Sequence, residues 1–395
     1  MLNRNLIVLS ISQIFSFTAA PITVFLSGII GSSMVDQKSL VTLPTALMIV
    51  GTSLGSIIAS YLMSKTGRKF GFMFSTIITS SAALLASYAV SKNLFIYYCL
   101  SNLLIGLGLA FTAQYRFAAA ESVSKKFIPT AISIILFSSM IGALLGPNVA
   151  TFTKNFISTS VYAGSYIFLS LLTIIPFFLL FFYVNESNKK NDEIILNKYS
   201  RSYFALISQP RFSQAIISSA IGYVTMSFLM TATPISMHLM DYISIGKTGI
   251  VIQIHILGMF LPSLVTGNLI KKYGHSKIMY FGVIILLFCI MINFVNQSFY
   301  NYLFGLALLG IGWNFLFISG TSLLIISYEP EEKFKSQGFN DFFVFTTQAV
   351  GALSAGYLLN IFGWQFINIL CAPLLVIVIV AVYIADIKQK SITKS

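Results

Sequence analysis

Apolar runs of about 19–30 residues recur about twelve times in this chain, each long enough to cross a hydrocarbon layer of about 30 Å as a helix. They cover 6–30, 40–63, 70–90, 94–119, 128–152, 160–184, 209–236, 248–270, 276–294, 298–327, 337–360 and 363–386. Lipid gives the backbone no hydrogen-bond partners, so such runs must close their own bonds, as helices or in a sealed barrel. The runs lack the alternating pattern of barrel strands. The expected fold is all-α: a polytopic membrane protein with 12 transmembrane helices.

Composition excludes a soluble domain. Only 9% of the 395 residues are charged, against roughly 25% in soluble proteins, and mean hydropathy is +0.86. The net charge of +13 invites a nucleic-acid partner, but the placement of Lys and Arg gives another cause. With the N-terminus inside, 18 of the 24 fall in cytoplasmic segments and four outside, leaving Arg116 and Arg211 within or at the edge of spans. No nucleic-acid partner is needed, and both termini are expected in the cytoplasm. The first run outlasts the roughly 7–15 apolar residues of a signal peptide, so it reads as a retained span. Cys99, Cys289 and Cys371 lie in apolar runs without a C-x-x-C, so no disulfide, zinc or other metal site is expected, and no cofactor.

A charged interruption divides six spans from six, giving an N-terminal bundle at 1–184, a cytoplasmic linker at 185–206 and a C-terminal bundle at 207–395. The halves also share a motif. The stretch from Ser60 to Lys69, between spans 2 and 3, returns as Gly267 to Lys277, between spans 8 and 9. Gly67 then falls on Gly274 and Ser60 on Gly267, each pair 207 positions apart. Parallel repeats of this kind place a solute site near the bilayer midplane.

The pattern resembles the major facilitator superfamily of secondary transporters over essentially the whole chain. That family carries G-x-x-x-[DN]-R-x-G-R-[RK] in this loop. Gly67, Arg68 and Lys69 match its end and Lys65 keeps a basic charge, while Ser60 and Ser64 replace Gly and Asp. The second copy keeps Gly267 and Gly274 but departs at Lys271, Lys272, His275 and Ser276. These loops are expected to form a cytoplasmic gate of Gly67, Arg68, Lys69, Glu121, Gly274 and Asp341, and the resemblance implies that Arg68 pairs with an acid at the end of span 4. In it Arg68 pairs with Glu121 at the end of span 4 and stabilises an outward-facing state; otherwise Arg68 only enforces topology. Asp341 either satisfies a helix N-terminus or faces the Lys65–Lys69 loop. Gly142, Gly146 and Pro147 in span 5 resemble an element associated with antiporters, or serve helix packing and bend the span. Residues 114–121, 230–234, 251–262, 312–317 and 337–342 resemble a bacterial branch of the family, some members of which are associated with riboflavin uptake.

Polar residues inside the runs are the candidate solute ligands. Asn102 stands where many family members have Arg, four residues before the G-x-G of Gly106 and Gly108. Arg116 follows 14 residues later, close to four helical turns, so the two share a face of an unbroken helix. That face is expected to look into the protein, with an anionic solute group as partner for Arg116, unless Arg116 snorkels to the interface. Tyr223, Gln253, Trp313 and Asn314 complete the expected pocket, with an aromatic surface suited to a flat ring; Pro21 and Pro234 break helices beside it. His255, in span 8, is the candidate for proton coupling, its other role being a structural hydrogen bond. His238 lies nearer the outer end of span 7.

The expected function is proton-coupled transport of a small organic solute by alternating access, in the bacterial cytoplasmic membrane and as a monomer. An efflux antiporter of the same fold is the alternative. A lipid-modifying membrane enzyme would need clustered carboxylates or histidines, and the eleven acids are scattered, so no enzyme is expected. An ATP-driven pump would need a G-x-x-x-x-G-K-[ST] loop, which does not occur. A channel fits poorly with repeated gate loops.

Overall fold

A computed structural model describes residues 3–37, 40–185 and 200–392, and every regular element among them is helical. The chain forms two compact units. Unit 1 contains Met1–Ser124, Ile135–Lys189 and Gln337–Thr346; unit 2 contains Lys125–Ile134, Lys190–Ser336 and Thr347–Ser395. Most of the linker expected at 185–206, residues 186–199, lies outside the described residues.

Unit 1 begins with α1 (Arg4–Phe17), where Asn3 Oδ1 accepts the Leu6 N–H at 2.8 Å as an N-cap. The span continues as α2 (Ala19–Met34) after a break at Thr18. Pro21 explains the break, because it offers no N–H to the carbonyl of Phe17, four residues earlier. Then follow α3 (Leu43–Thr66), α4 (Arg68–Ser91), α5 (Phe95–Ala113), the short α6 (Tyr115–Glu121), α7 (Ile128–Thr153) and α8 (Ala163–Leu179). The central helix is α5, flanked by α3 and α4. Helices in lipid associate by close packing rather than by hydrophobic burial, so small residues matter at these seams. Gly106 of α5 lies directly against the Met48 carbonyl of α3, where any Cβ would collide. Ala82, Ala83, Ala86 and Ala89 give α4 an equally thin buried face. Gly142 and Gly146 seat α7 against Ile14 and Pro21, and Pro147 is carried inside α7 without breaking it.

Unit 2 runs through α9 (Tyr203–Ile207), α10 (Pro210–Pro234), α11 (Ile245–Phe260), α12 (Ser263–Tyr273), α13 (His275–Val295), α14 (Phe299–Ile325) and α15 (Lys333–Ile392). After Pro234 the helix widens into a π segment, Ile235–Met240. Span 8 divides into α11 and α12 at Pro262, which cannot donate to the Gly258 carbonyl. The central helix is α14, flanked by α10, α11 and α13.

Among the described residues, eleven helices are long and apolar enough to cross a membrane, the last of them 60 residues long. That helix is two. Gly363, at φ 77° and ψ 172°, interrupts it with nearly the backbone conformation of Gly67 (83°, 161°) and Gly274 (86°, 161°), which separate α3 from α4 and α12 from α13. This region is essentially reserved for glycine. With the break at Gly363, the helices correspond to the twelve runs.

Candidate functional site

The turn at Gly67 places Arg68 at the start of α4 with 5% of its surface exposed. Its guanidinium grips Glu121 with two bonds, Nε to Oε2 at 2.9 Å and Nη2 to Oε1 at 2.6 Å, the planar fork matching the carboxylate. Gln337 completes a triangle: its Oε1 accepts from Arg68 at 2.6 Å and its Nε2 donates to Glu121 at 2.8 Å. The next residue, Gly338, packs so closely on Ser60 that an added Cβ would lie 2.6 Å from the serine Cβ. Lys69 donates its backbone N–H to Asn185 at 2.9 Å and its Nζ to the Phe181 carbonyl at 2.7 Å.

The second copy of the turn, at Gly274, borders a cavity lined by Arg211, His275, Ser276, Lys277 and Asp386 among others. There Arg211 Nη1 reaches Asp386 at 2.8 Å and Ser276 at 2.9 Å. Each turn thus sits beside an Arg–carboxylate pair, although the arginine of the second comes from α10.

A second ion pair lies deeper in unit 1. Arg116 Nη2 donates to Asp341 Oδ1, Gln114 Nε2 to Oδ2 at 2.8 Å, and Asn340 Nδ2 to Oδ1 at 2.9 Å. Asp341 has no exposed surface and Arg116 has 3%. The geometry differs from the sequence expectation in three respects. Asp341 stands more than two turns inside α15, so it caps no helix. It meets Arg116 rather than the Lys65–Lys69 loop, where Gln337 takes the contact with Arg68. The 14-residue spacing also assumed one continuous helix, whereas span 4 breaks at Gln114 between α5 and α6. Asn102 is accordingly engaged elsewhere, accepting from Ser27 at 3.3 Å and donating to the Tyr98 carbonyl at 2.7 Å.

Unit 2 carries the aromatic group. Trp313 stacks on Phe317 (centroids 5.1 Å apart, planes at 19°), and Tyr223 stands edge-on to it at 5.2 Å. Phe260 closes another side at 5.9 Å. Trp313 is 1% exposed, and its Nε1 has no hydrogen-bond partner. Tyr223, half-buried, is the more accessible ring. Asn314, by contrast, is fully engaged at the break in span 8: it donates to the Met259 carbonyl and Ser263 Oγ, each at 2.7 Å, and accepts from Thr266 at 2.7 Å. His255 is completely buried, its Nδ1 2.8 Å from the Leu306 carbonyl, which ties α11 to α14. Gln253 is exposed on α11, and His238 Nδ1 meets the Ile243 carbonyl at 3.0 Å.

Sequence reasoning missed Gln114, Gln337 and Asn340 as members of charged clusters. The available signal was the four-residue spacing of Gln337 and Asp341, which puts both on one helix face. It also missed a repeated aromatic tie near the start of the two central helices. Tyr98 bonds Tyr166 at 2.6 Å, while Tyr302 bonds Ser236 and Asp241, each at 2.6 Å, and packs on Trp364.

The model of the Major Facilitator Superfamily matches residues 6–242 and 212–395. A riboflavin transporter of Brucella anthropi, RfnT, is 31% identical over 381 residues, spanning 95% of this chain and 94% of the relative. An MFS-type transporter of Bacillus subtilis, YdeG, is 28% identical over 371 residues, 89% of this chain and 85% of its own. Among solved structures, the human organic anion transporter MFSD10 superposes with a TM-score of 0.77 at 14% identity, covering 96% of this chain and 99% of that one. The transporter FucP in its outward conformation gives 0.74 at 12%, covering 95% and 97%. With its fold, its helices and its relatives in agreement, the chain belongs to the Major Facilitator Superfamily and is a multi-pass membrane transport protein, not an enzyme.

Proposed function

We propose that this chain carries riboflavin or a similar flat, ring-bearing solute into a bacterial cell by proton-coupled alternating access. The observation that carries the solute class is the likeness to a riboflavin transporter over 95% of the chain. The aromatic group of unit 2 supports it: Tyr223 is a half-buried ring held at a steep angle to Trp313 and Phe317, chemistry that stacks on a planar heterocycle. The working halves are 1–184 and 207–395, and the monomer is the functional form. The excess of Lys and Arg on one side supports a cytoplasmic location for both termini. The Arg68–Glu121–Gln337 triangle serves as the cytoplasmic latch, held closed while the solute site is open to the outside.

The test is uptake of radiolabelled riboflavin into proteoliposomes with and without an inward proton gradient. Saturable uptake, raised by the gradient and competed by unlabelled flavin, supports the reading. Absence of riboflavin uptake overturns the solute class. Uptake indifferent to the gradient overturns the coupling. Gradient-driven accumulation inside inverted vesicles would instead favour the efflux antiporter that the Gly142–Gly146–Pro147 element suggests.

A further inference from the structure

The pair Arg116–Asp341 has a feature that a static salt bridge does not need. Two amides donate to the Asp341 carboxylate, Gln114 through Nε2 and Asn340 through Nδ2. The other ends of both amides, Gln114 Oε1 and Asn340 Oδ1, are buried and have no hydrogen-bond partner. A buried acceptor left without a donor is costly, so a purely structural site would be better built from donors alone. An amide, however, can donate to a carboxylate and, turned over, accept from a carboxylic acid. The two idle oxygens are therefore in reserve for a state in which Asp341 is neutral. Arg116 is also prepared for that state, because Nη1 already bonds the Ala113 carbonyl and the guanidinium lies 4.4 Å from the Phe117 ring centroid.

The charged surroundings are sparse. Arg116 is the ion facing Asp341 from α6. Arg68 of α4 and Glu121 of α6 are joined to each other and to Gln337, one turn earlier on α15. On α15 itself, Lys335 is directed to the Arg201 carbonyl and Lys333 lies over the Phe334 ring. His255, the histidine first expected to carry protons, is held to the Leu306 carbonyl, and no carboxylate is hydrogen-bonded to it among the described residues.

We propose that Asp341 is the proton-carrying group of the transport cycle, with Arg116 as its permanent counter-ion and Gln114 and Asn340 as amides that stabilise both of its protonation states. This rests on the proton-coupled reading above. A proton from one aqueous side adds to a carboxylate oxygen of Asp341, forming O–H, and the local charge rises from zero to +1. Arg116 stays protonated throughout. One amide oxygen then accepts the new O–H and the other an N–H released by Arg116. Loss of the proton to the opposite side restores the pair. The segment 337–346 is held in unit 1 at Gln337, at Asp341 and at Thr346, whose hydroxyl lies 2.7 Å from that of Ser53. Protonation loosens the middle tie alone.

Two experiments test this. The first is infrared difference spectroscopy of the purified full chain in lipid nanodiscs, titrated with pH and without solute. The expected result is a protonated-carboxyl band that disappears in Asp341→Asn and shifts in Asp341→Glu. Survival of every titrating carboxyl band in Asp341→Asn would overturn the assignment. The second is riboflavin transport in proteoliposomes. Wild type and His255→Gln accumulate riboflavin in response to a proton gradient. Asp341→Asn continues riboflavin counterflow but no longer responds to the gradient, and Asp341→Glu restores the response with a displaced pH profile. Gradient-driven accumulation by Asp341→Asn overturns the proposal. Should that variant fail to fold with Arg116 left unpaired, Arg116→Gln/Asp341→Asn removes both charges and carries the same expectations. A wild type that carries riboflavin without responding to the gradient ends the proton-coupled reading and this proposal together. A wild type that carries no riboflavin ends only the solute reading, and the infrared titration then decides on Asp341.

Discussion

Asn314 provides a direct test of whether a polar residue in mid-span binds solute or repairs the fold. Replacing it with leucine keeps the branching and number of heavy atoms and leaves no cavity, so the effect comes chiefly from lost hydrogen bonds. Three are lost: those to the Met259 carbonyl and Ser263 Oγ, and that from Thr266. Hydrogen bonds between membrane helices average about 0.6 kcal/mol, with an upper value of about 1.7, so the substitution costs about 2 kcal/mol and at most about 5. For a unit of 150–250 residues each kcal/mol moves the midpoint by about 2–4 °C, so Asn314→Leu should lower it by at least about 4–8 °C. The assay is thermal unfolding of detergent-purified protein, paired with riboflavin KM in proteoliposomes. The expected result is a lower midpoint with KM unchanged in the molecules that remain folded. A wild-type midpoint with KM raised tenfold, about 1.4 kcal/mol of lost binding, would refute the structural role and return Asn314 to the solute site.

Gly363→Ala should cost on the order of 1–3 kcal/mol from backbone conformation alone, because nothing lies within 4 Å of the added Cβ; an unchanged unfolding midpoint would contradict the left-handed turn. Gly274→Ala shares that open environment and should behave alike in the same assay. Tyr223→Ala should weaken riboflavin binding by about 1–3 kcal/mol if the ring stacks, the value for a nucleobase on an aromatic side chain, while Tyr223→Phe should bind nearly as wild type in a tryptophan-quenching titration. Glu121→Gln keeps the shape of the Arg68 triangle and removes its charge, at a cost of about 1.5–3 kcal/mol as for a hydrogen bond to an ion. Cysteine-accessibility labelling at the cytoplasmic end should then rise, and unchanged labelling would mean that the latch is idle. A green fluorescent protein fused to the C-terminus should fluoresce in cells; a dark fusion on a correctly inserted chain would reverse the proposed topology.

The spans were legible because lipid removes the alternatives: an apolar run of this length has little choice but to be a helix. The Gly67 and Gly274 turns were legible for a similar reason, since few residues other than glycine adopt their backbone angles. The breaks were harder to read. Pro21 and Pro234 were marked as breakers beside the pocket, yet Pro147 sits inside an unbroken α7 and the division of span 4 at Gln114 has no proline at all. That break decided the fate of Arg116. A helical spacing argument carried it toward Asn102, whereas a partner 225 positions away in sequence holds it at Asp341. Short-range periodicity contains nothing about such a pairing. It also could not separate an amide that binds solute from one that mends a helix, as Asn314 shows.

The repeat itself offers a way to separate scaffold from function. Placing Tyr98 on Tyr302 also places Gly106 on Gly310 and Gly108 on Gly312, 204 positions apart, and both copies do the same work: the tyrosines anchor the first turn of the central helix, Gly106 and Gly310 admit a neighbouring backbone, and Gly108 and Gly312 a neighbouring side chain. What both copies retain is explained by packing. The same alignment sets Gln114 on Ile318, Arg116 on Gly320 and Leu109 on Trp313, so the arginine of the buried pair occurs only in the first copy and the tryptophan of the aromatic group only in the second. Gly320 packs tightly against Ala215 and Ser219, leaving no room for a side chain of any kind, let alone an arginine. The packing shared by the two copies therefore does not account for Arg116, in keeping with the role proposed for it beside Asp341.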